Sequence, residues 1–470
     1  MSFNLKQADA IKISHAVRSG EVSAQEICTQ TLDKINQQNP TLNCFTTILS
    51  EQAIAQAKTL DKTLANGEDP GPLTGVPFAV KNLFDITGIT TLAGSKINQE
   101  NPPETEDSTA IKRLKQAGAI LIGALNMDEY AYGFVTENYH YGATPNPHDI
   151  TRISGGSSGG SAASVAAGLV PFTLGSDTNG SIRVPASLCG VLGLKPTYGR
   201  LSRAGVALFS SSLDHIGPFG KSVRDIATIY DILQGEDDRD PVCTKRAPEL
   251  SLPQLDNGIE GVKIGVLEGY FAEAWEPEIL EAVTKVANAL NATQRFTIPE
   301  ASRAKAAAYI ITACEGSNLH LSNLRSRSQD FDPATRDRFL AGALIPATWY
   351  NQAQRFRRWY QQQVREIFQK VDILLAPTTP CVAPKIGQET IKVDGEELLV
   401  RPNLGLYTQP LSFIGLPVLS VPVMGSGLPL GVQIIAAPYT EALILRVAKV
   451  LEAEGIIKVT KNNGIQAPSF

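Results

Sequence analysis

Apolar positions recur at helical spacing through residues 11–17 and again through 51–65, where the run stops at Asn66-Gly67. Between them Ser23 stands as a helix N-cap with Glu26 three residues on, the spacing of a capping box. These N-terminal helices read as a covering layer. The pattern changes at Leu73. GVPFAV (75–80) is a short apolar strand running into Lys81, GAILIGALN (118–126) is a buried strand, and VPFTLGS (170–176) is another. Helical patterns at 108–117 and 221–234 are interspersed, and KIGVL (263–267), a helix at 277–290 and VDILLAP (371–377) continue the alternation. Strands alternating with helices place the chain in the α/β class with a largely buried sheet. Residues 417–424 and 428–436 flank Gly425-Ser426-Gly427, a hairpin signal that makes the sheet mixed. A long polar helix at 348–370 carries RFRR, read as a solvated face, and 441–455 closes the chain as an amphipathic helix.

Composition narrows the function. The chain has 470 residues, 43% hydrophobic and 19% charged, enough to fill a large core and too apolar for a disordered chain. Its 39 glycines and 29 prolines suit a loop-rich enzyme and not a helical bundle. A net charge of -5 supplies no field for a polyanion, so nucleic acid is not an expected partner. The N-terminal residues hold no apolar run of signal-peptide length and no stretch approaches membrane-span length, so no membrane role is expected. Six scattered cysteines without a CxxC pair read as reduced thiols of a cytoplasmic protein. Five histidines without clustered spacing ask for no metal, and no cofactor is expected.

The chemistry concentrates in SGGSSGGSAASVAAGLVPFTLGSDTNGSIRVPASLCG (154–190). A Gly/Ser-rich run is commonly a linker, but this one passes straight into a small-residue helix and a buried strand. A phosphate-cradling loop would need Lys-Ser or Lys-Thr after the glycines, and there is none. A nucleophile elbow matches at 155–159, yet HDITRI (148–153) makes a poor strand before it, and the downstream His215 and His320 stand in no telling context. The third reading joins Ser157 to a second loop 24 residues on, Asp177-Thr178-Asn179-Gly180-Ser181. The backbone N–H groups of Thr178, Asn179, Gly180 and Ser181 would converge as an oxyanion hole, where one donor is worth ~2.7–4 kcal/mol in a model protease. Ser181 would be the nucleophile. A serine hydroxyl needs a base, and with histidine scarce the candidate is Lys81, desolvated by its apolar flank so that its amine is neutral near pH 7. Taken alone, such a lysine is more commonly a snorkelling surface residue; two Ser/Gly loops beside it change that reading.

These residues resemble the amidase signature family. The likeness is dense over about 73–217 and continues through DILLAPTTP (372–380) and 415–435. It implies one α/β domain over 1–470: a mixed twisted β-sheet covered by helices on both faces, with 1–70 as covering layer, 71–220 as signature core, and 221–470 as the rest of the sheet and the pocket. It implies a Ser–Ser–Lys triad of Lys81, Ser157 and Ser181, with a cis peptide at Ser157. Arg183 belongs to the general motif and is read as structural. Most members carry two glycines before the nucleophile, where this chain has Asn179-Gly180. Within the family, the blocks 80–98, 126–149 and 176–190 are similar to members acting on small carboxylated urea or biuret-type compounds. That likeness implies an amide C–N hydrolysis releasing ammonia, a small non-catalytic partner subunit, and a homo-oligomer or heterotetramer. Such a substrate calls for a cationic fork; Arg325 and Arg327, in the SNLRSRSQD loop, are the candidates, with Tyr132 and Tyr309 as pocket walls.

Two alternatives stay open at this point. One is the glutaminase component of a tRNA-dependent amidotransferase, which shares the NMDE block at 126–129. The other is a catalytically silent binding subunit, for which the full set of Lys81, Ser157 and Ser181 would have no use.

Overall fold

The computed structural model describes residues 8–459 apart from 274, 394, 395 and 426. Eleven strands form one sheet: β1 (Phe45–Ile48), β2 (Pro77–Lys81), β3 (Ile120–Leu125), β4 (Phe172–Asp177), β5 (Leu192–Lys195), β6 (His215–Gly220), β7 (Ile264–Leu267), β8 (Gln294–Phe296), β9 (Ile373–Pro377), β10 (Val418–Met424) and β11 (Pro429–Ala436). Their spatial order is β1-β3-β2-β4-β6-β5-β10-β11-β9-β7-β8. β2 runs parallel to β3 and β4, and β7 parallel to β8 and β9. The other neighbours pair antiparallel, including the β10–β11 hairpin. Ser426 of that hairpin's turn lies outside the described residues.

The sheet separates two cores, because alternate side chains of a strand point to opposite faces. In β9, Ile373 and Leu375 join one cluster, while Leu374 and Ala376 join the other. The first face is covered by the helices Ala10–Arg18, Ala24–Leu42, Val223–Leu233 and Glu441–Ala453, and the second by Ala301–Ser326 and Ala347–Phe368. Burial on both faces explains why β3, β9 and β2 as far as Lys81 read as unbroken apolar runs rather than alternating ones.

The local signals behave as their chemistry dictates. Ser23 Oγ accepts from the Glu26 N–H at 3.1 Å while the Glu26 carboxylate accepts from the Ser23 N–H at 2.9 Å, a complete capping box. Three elements depart from the sequence pattern. Phe45–Ile48 is an edge strand inside the helical covering layer, paired with β3. Asp149–Ile153 is a strand, but it belongs to a separate two-stranded ribbon with Pro145–Asn146 and not to the main sheet. Residues 322–326 are not a loop: they end the 26-residue helix Ala301–Ser326, whose buried face is largely alanine and so gives no strong apolar stripe. Of the RFRR run, Arg355 and Arg358 are exposed, whereas Arg357 is half-buried and donates to the Ser212 carbonyl at 3.0 Å.

Candidate active site

Three segments meet at the end of β2 and β4. The first is Lys81 itself, the last residue of β2. The second is the serine loop that leads into the helix Gly159–Ala166. That helix is buried throughout, and its serines are spent on backbone. Ser158 Oγ donates to the Ser176 carbonyl and Ser161 Oγ to the Leu174 carbonyl, both at 3.1 Å. The Gly/Ser run is thereby stitched to β4, which is why it behaves as a fixed scaffold. Gly160 is required there because a Cβ would come within 2.6 Å of the Asn126 carbonyl oxygen. The third segment is the turn after β4, residues 178–182, which enters the helix Arg183–Cys189.

Lys81 and Ser157 both have zero exposure. Lys81 Nζ donates to Ser157 Oγ at 2.7 Å and to Ser176 Oγ at 2.9 Å. The Gly156–Ser157 peptide is cis, as the family likeness implied. Burial holds the Lys81 amine down to about 7, against the upward pull of the Asp128, Asp214 and Asp177 carboxylates. Burial in turn raises Asp128 and Asp214 above their ordinary range. Asp177 is held well below it: burial opposes this, but the buried Arg183 guanidinium lies 3.0 Å away.

Asp177 and Arg183 shape the turn that carries Ser181. The Asp177 carboxylate accepts from the Gly180 N–H at 2.7 Å and the Ile182 N–H at 3.2 Å. Arg183 also donates to Gln433 Oε1 at 2.8 Å and to the Thr408 carbonyl at 3.2 Å, which fits its structural reading. The oxyanion-hole expectation needs one correction here. The Gly180 N–H is already committed to Asp177, because that carboxylate caps the turn. The N–H groups of Thr178, Asn179 and Ser181 have no acceptor among the described residues. Gly180 itself has φ +142°, and a Cβ there would lie 2.1 Å from Thr408 Oγ1, so the turn admits only glycine.

Ser181 is 3% exposed and lines a cavity of about 190 Å³ together with Thr178, Asn179, Tyr132, Tyr309 and Arg338, among others. That is below the roughly 300–1,000 Å³ of pockets for drug-sized ligands, so the occupant is small. Tyr132 and Tyr309 both line this cavity. Arg325 and Arg327 are not brought to it. Arg325 sits exposed on the last turn of its helix, and Arg327 is ion-paired with Glu100 at 2.7 Å and Asp330 at 3.0 Å. The cavity takes its cations instead from Arg338 and Arg401. Arg401 is paired with Glu137 at 2.6 Å. Arg338 has no carboxylate partner among the described residues: it donates to the carbonyls of Ala334 (2.7 Å) and Tyr132, with its guanidinium carbon 4.0 Å from the Tyr132 ring centroid.

Sequence reasoning missed Arg338, Gln409 and Ser176. Ser176 had a signal, since it lies on the strand beside β2, one residue before the Asp177 loop. Arg338 and Gln409 had none, because only the tertiary fold brings the helix Pro333–Ala343 and residue 409 to a cavity whose other walls lie near 132 and 180. The histidines of the elbow reading are occupied elsewhere. His215 Nδ1 contacts the Asp177 carbonyl and its Nε2 contacts Lys195, while the His320 ring packs 3.9 Å from Tyr130. Among the described residues no group of three or more His, Cys, Asp or Glu is placed to hold a metal, and no helix is long and apolar enough to cross a membrane.

The chain belongs to the amidase family: residues 26–445 match its family model. It is a hydrolase acting on amide C–N bonds. It is 52% identical over 452 residues to AtzE, a component of the 1-carboxybiuret hydrolase of Pseudomonas sp. (strain ADP), covering 96% of this chain and 99% of that one. It is 37% identical over 489 residues to a glutamyl-tRNA(Gln) amidotransferase component of Bdellovibrio bacteriovorus, covering 97% and 98%. Among solved structures it superposes with TM-score 0.95 at 52% identity, over 96% of this chain and 100% of the other. That chain is from a vestigial protein complex described as revealing the evolutionary origins of an s-triazine catabolic enzyme.

Proposed function

We propose that this protein hydrolyses the terminal amide C–N bond of a small carboxylated urea of the biuret type, 1-carboxybiuret or a near analogue, and releases ammonia. The observation that carries this reading is Arg338: a guanidinium without a carboxylate partner among the described residues, on the wall of the small cavity that Ser181 also lines. A guanidinium left to backbone carbonyls and a ring face is poised for a bidentate carboxylate. The 52% identity to a 1-carboxybiuret hydrolase component supports the same substrate class.

In the proposed mechanism the neutral Lys81 amine accepts the Ser157 hydroxyl proton across their 2.7 Å contact. Ser157 takes the proton of Ser181, whose Oγ bonds to the amide carbon. The carbonyl electrons move to oxygen, which rests on N–H groups of the 178–181 turn. As the oxyanion collapses, the C–N bond breaks and the proton returns through Ser157 to the leaving nitrogen. Ammonia departs, leaving a carbamoyl- or acyl-Ser181. Water then attacks, its proton following the same relay, and Ser181 is regenerated.

A glutaminase would bring an α-ammonium into the pocket. The cavity wall carries two arginines and no carboxylate, which disfavours that ligand. We infer that a small non-catalytic partner works with the chain; in support, the relative of 52% identity is one subunit of its hydrolase and the superposed structure is of a complex. One sheet drawing strands from residues 45 to 436 supports a single amidase domain. Six unpaired cysteines support a reducing, cytoplasmic compartment.

The test is ammonia release from 1-carboxybiuret, allophanate, biuret, malonamate and glutamine, with and without the small partner. The carboxylated ureides should give the highest kcat/KM. Glutamine as best substrate would overturn the reading.

A further inference from the structure

Eight buried side-chain polar atoms lack a hydrogen-bond partner among the described residues, and three of them belong to residues of the one cavity that Ser181 lines: Tyr132 Oη, Asn179 Oδ1 and Gln409 Oε1. Buried polar atoms are almost always paired, and leaving one unpaired costs stability. Asn179 and Gln409 thus bring unpaired amide oxygens to residues of one small cavity, where a ligand could supply the missing partners.

The orientation of Asn179 is fixed by its neighbour. Thr312 Oγ1 donates its single proton to the Ala308 carbonyl at 2.7 Å. Toward Asn179 it therefore acts as acceptor, and it receives Asn179 Nδ2 at 2.9 Å. The amide is held with its NH2 turned to the helix Ala301–Ser326 and its carbonyl oxygen left over. Gln409 contributes a second unpaired carbonyl from a different segment. Asn179 therefore presents an acceptor to which a ligand brings an N–H donor, and Gln409 adds an amide that no protein group among the described residues holds in one orientation.

Resting on the carboxylated-urea reading above, the geometry points to Asn179, with Gln409, as the specificity-determining pair that recognises the N–H groups of the ureide and rejects isosteres carrying CH2 in their place. A urea nitrogen and a methylene occupy similar space, so shape alone cannot separate them. Hydrogen bonding can: a CH2 group leaves the Asn179 acceptor buried and unpaired, which is the arrangement that gives strong discrimination. Asn179 lines the cavity together with Ser181, and its side chain bonds Thr312 and neither Lys81 nor Ser157.

The experiment compares two isosteric pairs, allophanate against malonamate and biuret against malonamide, each differing by NH for CH2. The quantity read is the kcat/KM ratio within a pair, compared between wild type and variant, so that intrinsic reactivities cancel. Asn179→Ala is expected to lower that ratio by on the order of 10- to 100-fold, through a larger loss on the NH member. Thr312→Val, which keeps Asn179 but removes the acceptor that orients it, is expected to lower the ratio in the same direction. Gln409→Met should do so as well. If both members of a pair fall by the same factor in all three variants, the side chains only support the turn, and the inference is overturned while the substrate reading stands. If wild type ignores the carboxylated pair but turns over biuret, the substrate reading falls and the neutral pair still decides the inference. If glutamine is turned over and none of the four compounds is, both fall.

Discussion

Lys81 and Ser157, 76 residues apart, meet at 2.7 Å in a position from which water is excluded. The contact joins the end of a buried strand to a serine loop, and it is made by a lysine whose charge the fold disfavours. Its consequences are measurable in pH, in stability and in turnover.

The pH dependence of kcat/KM follows from the state of Lys81. Only the neutral amine can accept a proton, and burial brings its pKa to about 7. Activity should therefore be low where the amine is charged, rise with pH, reach half its plateau near pH 7 and flatten above. A profile that falls as pH rises through this range would remove Lys81 as base.

Stability should carry the same signature. The folded-state pKa of Lys81 is about 7 and its ordinary value is 10.5. Between those values the unfolded chain holds a proton that the folded chain has released, so stability contributed by this group rises with pH across the window. Below pH 7 the folded protein bears the full cost of a buried charge. Lys81→Met should therefore raise Tm relative to wild type most below pH 7, with the difference shrinking toward pH 10.5. Thermal denaturation of both proteins at about pH 6, 8 and 10 checks this; a Tm difference independent of pH would contradict it.

Arg338 is expected to act on binding of the anionic end of the substrate. Arg338→Gln should raise KM for a carboxylated ureide by roughly 10- to 100-fold, the range of a lost charge-assisted hydrogen bond, with a much smaller effect on neutral biuret. Arg338→Lys should recover only part, since a point charge replaces a planar fork and loses its stacking on Tyr132. Equal losses on both substrates would show that Arg338 serves the fold and not the carboxylate.

Glu129 ties the helix that carries Arg338 to the core. Its buried carboxylate accepts from the Asp332 N–H and Ser95 Oγ, both at 2.8 Å, and from Thr335 Oγ1. Glu129→Ala should lower stability by about 1–3 kcal/mol, because these buried donors lose their acceptor. The same variant should raise KM for the carboxylated substrate through misplacement of Arg338. Urea denaturation and steady-state kinetics read the two effects separately, and an unchanged KM would restrict Glu129 to a purely structural role.

What the sequence disclosed follows the range of the forces involved. Lys81 was legible because an apolar strand ends on it, and Ser157 and Ser181 because small residues in that density serve close backbone approach. The capping box at Ser23 and Glu26 was legible because it is complete within four residues. The helix Ala301–Ser326 was not, since its buried face is built from alanines that leave little contrast with its exposed side. Arginine assignment failed for a related reason. Arg325, Arg327 and Arg338 look alike along the chain, and only packing decides which is paired with Glu100 and Asp330 and which faces the cavity. The turn at 178–181 was legible as a whole, but a local competitor, the Asp177 carboxylate, takes the Gly180 N–H.

The most direct test of the relay is covalent labelling with a fluorophosphonate, followed by peptide mapping and by the rate of labelling as a function of pH. The expected result is a single adduct on Ser181, forming faster as pH rises with a midpoint near 7, and slowed by at least about 10³-fold in Lys81→Ala and in Ser157→Ala. An adduct on another serine, or a Ser181 labelling rate indifferent to pH and to the loss of Lys81, would contradict it.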